Sequence, residues 1–203
     1  MAVSCSHFRL LEQRLVELAQ KFVDDQVQAE IADPAAFQPD LDRLAAFRLL
    51  VHAEIEDFLE AKAKDNIRAM GMRIATGSGW MRASPELLPL AVALKRAVPH
   101  DDPLEVQRYV AFANELLGAA RSAVTDNNGI KSQQFAFLSL CAGKMLDEVD
   151  GVLSAGLNSF GKNRGDVAHK SVTHCNSLQA PSAELHAART LVSQIAAYFD
   201  VMS

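Results

Sequence analysis

The chain has 203 residues, 49% of them apolar and 22% charged, with a formal net charge of −5. That balance belongs to a globular chain rather than a disordered one, long enough to bury a core as one large domain with or without an extension. It argues against generalised coating of nucleic acid, though not against a local basic patch.

The longest apolar run, LLPLAVAL (87–94), contains a proline and is too short to span a bilayer, so no membrane partner is expected. The N-terminal MAVSCSHFRLLEQ has no basic stretch followed by an apolar one, so it does not read as a secretory signal. Cys5, Cys141 and Cys175 are odd in number, widely spaced and without a CxxC pair. They suit a reducing cytosol and predict a cytoplasmic location. In that compartment the RGD tripeptide at 164–166 has no adhesive use.

Phe8, Leu11, Leu15, Leu18 and Phe22 advance by 3, 4, 3 and 4, one face of a first helix. Residues 1–38 are expected to form a helical extension to a bundle over 39–203. Leu41, Leu44, Val51, Ile55 and Phe58 mark a long second helix starting near Pro39-Asp40. Arg48, His52 and Glu56 lie four apart on one stripe of it. The stripe reads first as a surface ion-pair ladder, and alternatively as groups that face and orient a cleft.

Residues 71–84 read as an irregular loop. Its TGSG lacks the preceding strand and the GK[ST] ending of a phosphate-binding loop. Ser84-Pro85 and Asp102-Pro103 each supply an N-cap followed by proline at the first helical position. After DNNG (126–129) come helices over 130–144 and about 146–160. A last helix starts at Ser182 and turns Leu185, Ala188, Val192, Ile195, Phe199 and Met202 inward. No segment alternates with a period of two, so no sheet is expected. The fold class is all-α, an antiparallel helical bundle of about five to seven helices.

His169, His174, Cys175 and His186 lack the paired spacing of zinc ligands, so neither a metal nor a cofactor is expected. The segment NSFGKNRGDVAHKS (158–171) carries Lys162, Arg164 and Lys170 against Asp166, a local positive charge in an acidic chain. Arg164 and His169 are five residues apart, about 140° around a regular helix. They converge on one target if Gly165 breaks the helix, or if two copies of the segment meet across a two-fold axis. Their spacing alone is what chance supplies; their place at a junction in an ordered helical chain is what singles them out.

Three pieces together resemble the HEPN superfamily, in particular the RiboL-PSP-HEPN group. RLLVHAEIEDFLEAKAKD (48–65) resembles the early helix with its acidic face. NNGIKSQQFAFLSL (127–140) resembles the turn and helix before the motif. FGKNRGDVAH (160–169) resembles the motif, with Arg164 and His169 at its two signature positions. The resemblance implies a homodimer whose paired motifs form a composite, metal-independent ribonuclease site acting on RNA. It also implies a role as a toxin or in antiviral defence, with an antitoxin or defence-system protein as a further partner. Active members often carry a polar residue, commonly Asn, directly after the arginine. Here that position is Gly165, and Asn163 and Asp166 are the nearby groups able to take its part.

On this reading His169 is the acid/base and Arg164 the phosphate clamp, because imidazole exchanges protons near neutral pH and a guanidinium fork matches phosphate oxygens. Lys162 and Lys170 would hold the RNA backbone, and His52 and Glu56 would orient the site. The rival expectation is a non-catalytic HEPN-like dimeric interaction or nucleotide-binding module.

Overall fold

The computed structural model describes residues 3–76, 80–98, 105–169 and 177–202, apart from the side chains of 80–84 and 163–169. Among the described residues the chain is an all-α helical bundle of eight α-helices. A two-residue parallel strand pair accompanies them, β1 (Val3–Ser4) with β2 (Val201–Met202), in the register Val3 to Val201. Strands this short carry no readable alternation, which is why the sequence gives no hint of them.

The helices form two compact units. The first holds α1 (Ser6–Phe22), α2 (Asp24–Ala32), the part of α3 (Leu41–Ala75) up to Phe58, α7 (Gly151–His169) and α8 (Pro181–Phe199). The second holds the rest of α3, α4 (Trp80–Ala93), α5 (Val106–Thr125) and α6 (Ser132–Cys141) from residue 133 onward.

In the first unit α1 buries Phe8, Leu11, Leu15 and Leu18, as their spacing predicts. Phe8 meets Phe58 edge-on at 5.9 Å, and Phe58 meets Phe199 edge-on at 5.8 Å. Each such side chain contributes about 1.5–3 kcal/mol by leaving water. The polar contacts then fix how α2 leads into α3. Buried Gln26 donates to the Phe22 carbonyl at 2.8 Å and accepts from the Asp40 amide at 2.8 Å. The Asp40 carboxylate in turn accepts from the Arg43 amide at 3.1 Å, satisfying one of the free donors that open α3.

Glu30 of α2 serves α8 in the same way. Its carboxylate accepts from the Ser182 amide at 3.0 Å and the Ser182 hydroxyl at 2.9 Å. An acid suits a helix N-terminus on both hydrogen-bonding and dipole grounds.

α7 opens on Asp150, which accepts from the amides of Val152 at 2.8 Å and Leu153 at 3.0 Å. It buries Leu153, Leu157 and Phe160, but it does not stop at Phe160 as expected. The helix runs on through Gly165 to His169. A glycine inside a helix costs only about 1 kcal/mol relative to alanine, and no proline interrupts the segment. The expected start is also displaced, because Leu146–Glu148 forms a separate 3-10 turn. α8 ends at Phe199, where Asp200 takes a left-handed conformation with φ 52°. Met202 therefore lies exposed in β2 instead of extending the buried face.

In the second unit α3 buries Leu59, Ala63, Ile67, Met70 and Ile74, and α5 buries Ala113, Leu116, Leu117, Ala120 and Val124. α4 starts at Trp80, ahead of the expected Ser84-Pro85 cap, and carries Pro85 and Pro89 inside it. The loop read over 71–84 is correspondingly shorter, since α3 continues to Ala75; Gly77 to Gly79 of its TGSG lie outside the described residues. The Asp102-Pro103 cap likewise lies outside them, and Glu105 precedes α5.

α6 closes on Gly143 at φ 90°, where the Lys144 amide reaches the Ser139 carbonyl at 3.0 Å and the Gly143 amide reaches Leu140 at 3.1 Å. That pair of bonds is a Schellman cap, and only glycine holds this φ without strain. Asn66 adds a bond to the Cys141 carbonyl at 3.0 Å. Burial pushes the Cys141 thiol up to about 12.

Candidate functional site

The stripe Arg48, His52, Glu56 decides the character of the first unit. Arg48 is 3% exposed and His52 1%, so the expectation of a surface ion-pair ladder is corrected. Arg48 reaches across to α8. Its Nε donates to one Glu184 oxygen at 3.0 Å and its Nη2 donates to the other. Ser177 takes two further donors, its carbonyl at 2.9 Å and its hydroxyl at 3.3 Å. Glu184 also accepts from the Gln179 amide at 2.8 Å. The guanidinium fork and the carboxylate are thus paired in the bidentate geometry that a buried charge requires.

One turn along α3, the imidazole of His52 has its Nδ1 3.6 Å from a Glu56 oxygen. Its ring stacks on Phe160 of α7, with centroids 6.5 Å apart and planes within 8°. A Cβ on Gly161 would stand 3.5 Å from His52 Nε2 and 3.6 Å from Lys131 Cγ. α7 therefore passes close over the imidazole just where its polar extension begins. Lys131 and Lys162, both exposed, add positive charge on this stretch.

The predicted pair sits farther along the same helix. α7 is unbroken, so the helical register applies from Leu153 to residue 169. Position 164 continues the stripe of the buried residues Leu153, Leu157 and Phe160. Position 169 falls on the stripe of the exposed residues Asn158 and Lys162. About 140° of helix separates the two positions, so within one chain the backbone does not bring them to a common face. The first of the two routes to convergence, a break at Gly165, is absent. The side chains of Asn163, Arg164, Asp166 and His169, and the whole of Lys170, lie outside the described residues.

A cleft of about 360 Å³ lies beside this region, between α7 and α8. Arg48, Glu184, Phe160, His186 and Gln194 are among its lining residues. The two helices approach closely at Gly156, where a Cβ would stand 3.0 Å from Leu191 Cδ2.

Glu184 and Ser177 are site residues that sequence reasoning missed. Glu184 stands 136 residues from Arg48, and its one local signal, an acid in the first turn of a helix, points to a dipole role instead. His186 is exposed on α8, while His174 and Cys175 lie outside the described residues. Among the described residues no three His, Cys, Asp or Glu side chains come together as a metal cluster. No helix among them is long and apolar enough to cross a membrane.

Fold and site together define an all-α helical bundle whose buried Arg–Glu pair and buried histidine abut a polar late helix. Compared with family models, curated proteins and solved structures, the chain matches none.

Proposed function

We propose that the chain is a HEPN-like, metal-independent endoribonuclease of toxin or antiviral-defence type, acting at a composite site of a homodimer. The observation that carries the reading is the unbroken course of α7 through Gly165. An arginine and a histidine about 140° apart on one rigid helix do not serve one phosphate from a single chain. Two copies related by a two-fold axis supply what one lacks, the arginine of one meeting the histidine of the other. The exposed cations Lys131 and Lys162 along the same stretch favour a polyanionic substrate.

RNA carries its own nucleophile in the 2′-hydroxyl. The site therefore needs proton transfer and charge stabilisation, and no separate activated water. His169 takes the 2′-hydroxyl proton or gives one to the leaving 5′-oxygen, a contribution typically of ~10²- to 10⁴-fold. Arg164 holds the developing charge on the phosphorane oxygens through its fork. The products are a 2′,3′-cyclic phosphate and a 5′-hydroxyl end. His52 and Glu56 act as positioning residues, holding the face of α7 on which Phe160 and Gly161 rest.

Labelled RNA incubated in EDTA with the wild type, Arg164→Ala and His169→Ala tests the reading, each protein first confirmed to be dimeric. Cleavage by the wild type that both variants lose supports it. Intact RNA in all three samples refutes it. It would favour the second reading, a non-catalytic dimeric interaction module, which rests on glycine occupying the position directly after the arginine.

A further inference from the structure

The second unit carries a feature that the ribonuclease reading does not use. α3 and α5 run antiparallel there: Asn127 donates to Glu60 at 3.3 Å, and Gly71, eleven residues on along α3, faces Leu117, ten residues back. Between those two contacts the seam opens into a cleft of about 420 Å³ lined by Lys64, Arg68, Arg121 and Thr125. Lys64 and Arg68 stand one turn apart on α3, and Arg121 and Thr125 one turn apart on α5. Each helix thus presents an i,i+4 pair to the same opening.

The acids nearby do not cancel this charge. Glu60 holds Lys64 at 2.9 Å but also accepts from Asn127, and Asp65 meets Arg68 at 3.3 Å through a single oxygen. The exposed Arg68–Asp65 pair is weak and screened, and the half-buried Glu60 carboxylate is shared between Lys64 and Asn127, so a multivalent anion competes with both. Arg121 makes no ion pair among the described residues. The Thr125 hydroxyl is turned to the Arg121 carbonyl at 2.9 Å, which leaves the three cations as the donors of the cleft. Three flexible cations around one polar opening, in a chain of net charge −5, form a concentrated positive field.

The geometry points to a phosphate-binding cleft at Lys64, Arg68 and Arg121 of the second unit. Its ligand is a phosphate group, either one along a single-stranded nucleic-acid backbone or a free phosphate. The inference stands apart from the ribonuclease reading, because the probe that tests it need not be cleaved.

The test uses a fluorescent 2′-O-methyl single-stranded oligonucleotide, with pyrophosphate as a second probe, titrated into the full-length protein from 50 to 200 mM salt. The triple variant Lys64→Gln/Arg68→Gln/Arg121→Gln changes two exposed side chains and one half-exposed one, and its fold is checked by circular dichroism. If the backbone is the ligand, the variant loses about 2 units from the slope of log affinity against log salt, roughly 0.7 for each cation removed. Its affinity at 50 mM salt falls by about a hundredfold. If free phosphate is the ligand, pyrophosphate binding is lost while oligonucleotide binding is unchanged. Arg96→Gln, an exposed cation outside the cleft, leaves both readouts near wild type. The inference is overturned if the wild type binds neither probe. It is equally overturned if the triple variant binds both probes as the wild type does, or if Arg96→Gln lowers the slope as much as the triple variant.

Discussion

The Arg48–Glu184 pair gives the sharpest stability prediction. Arg48→Met keeps an unbranched apolar stem and removes the guanidinium. Glu184 then keeps the Gln179 amide at 2.8 Å as its remaining partner, inside a site where both charged groups are nearly excluded from water. Breaking a buried pair from one side costs about 3–5 kcal/mol, because the charge left behind has lost both water and partner. For a chain of this size that corresponds to a fall in Tm of roughly 6–20 °C.

Glu184→Gln should cost less than Arg48→Met. Its amide oxygen still accepts from Arg48, and Ser177 continues to hold the guanidinium at 2.9 and 3.3 Å. The double change Arg48→Met/Glu184→Leu removes both charges together and should recover most of the loss, since an apolar replacement of a buried pair is often neutral or better. Urea titration of the wild type, Arg48→Met, Glu184→Leu and the double change closes a double-mutant cycle, with a coupling expected at the upper end of the usual 0.5–3 kcal/mol range. A loss below about 1 kcal/mol for Arg48→Met would refute the argument, because that is the scale of an exposed pair.

Three further outcomes follow from the same contacts. Glu30→Ala removes the acceptor for both the amide and the hydroxyl of Ser182, and should cost about 1–2 kcal/mol in urea denaturation. The hydrogen bonds from Arg43 hold the Asp25 carboxyl below its usual range. A carboxyl whose folded pKa is depressed contributes stability above its unfolded pKa and loses it as pH falls through the folded value. NMR titration should find Asp25 ionised below pH 3.8, with its midpoint returning to the ordinary range in Arg43→Ala. Cys141, buried and pushed up to about 12, should resist alkylation at pH 8 in the native protein and react once it is unfolded in urea.

The legible parts of the sequence were those governed by local period. Phe8 to Leu18 advance at helical spacing, and α1 buries those residues. The same holds for the face of α8 through Ile195, until Asp200 turns left-handed and takes Val201 and Met202 into a strand pair with β1. That pairing joins the two ends of the chain and leaves no local trace.

Turn formers misled at two places. The helix was expected to end near Phe160, with a break at Gly165 as one of two routes to convergence, yet α7 continues, since a glycine's modest cost is offset by the hydrogen bonds of an otherwise proline-free helix. Ser84-Pro85 read as a helix start, yet α4 is already helical at Trp80. Arg48 was legible as a charged member of a helical stripe, but its burial was not. The carboxylate that neutralises it lies 136 residues on and arrives with α8. The Arg164/His169 pair was visible as a motif, and its geometry became informative once α7 proved continuous.

The most direct measurement mixes two inactive proteins. Arg164→Ala and His169→Ala are each purified, partly unfolded together and refolded so that mixed dimers form. A composite site predicts that neither variant alone cleaves RNA in EDTA and that the mixture regains cleavage. Each mixed dimer then holds one arginine and one histidine from opposite chains, and its products end in 2′,3′-cyclic phosphate. A mixture as inert as its components, beside a wild type that cleaves, would contradict the account.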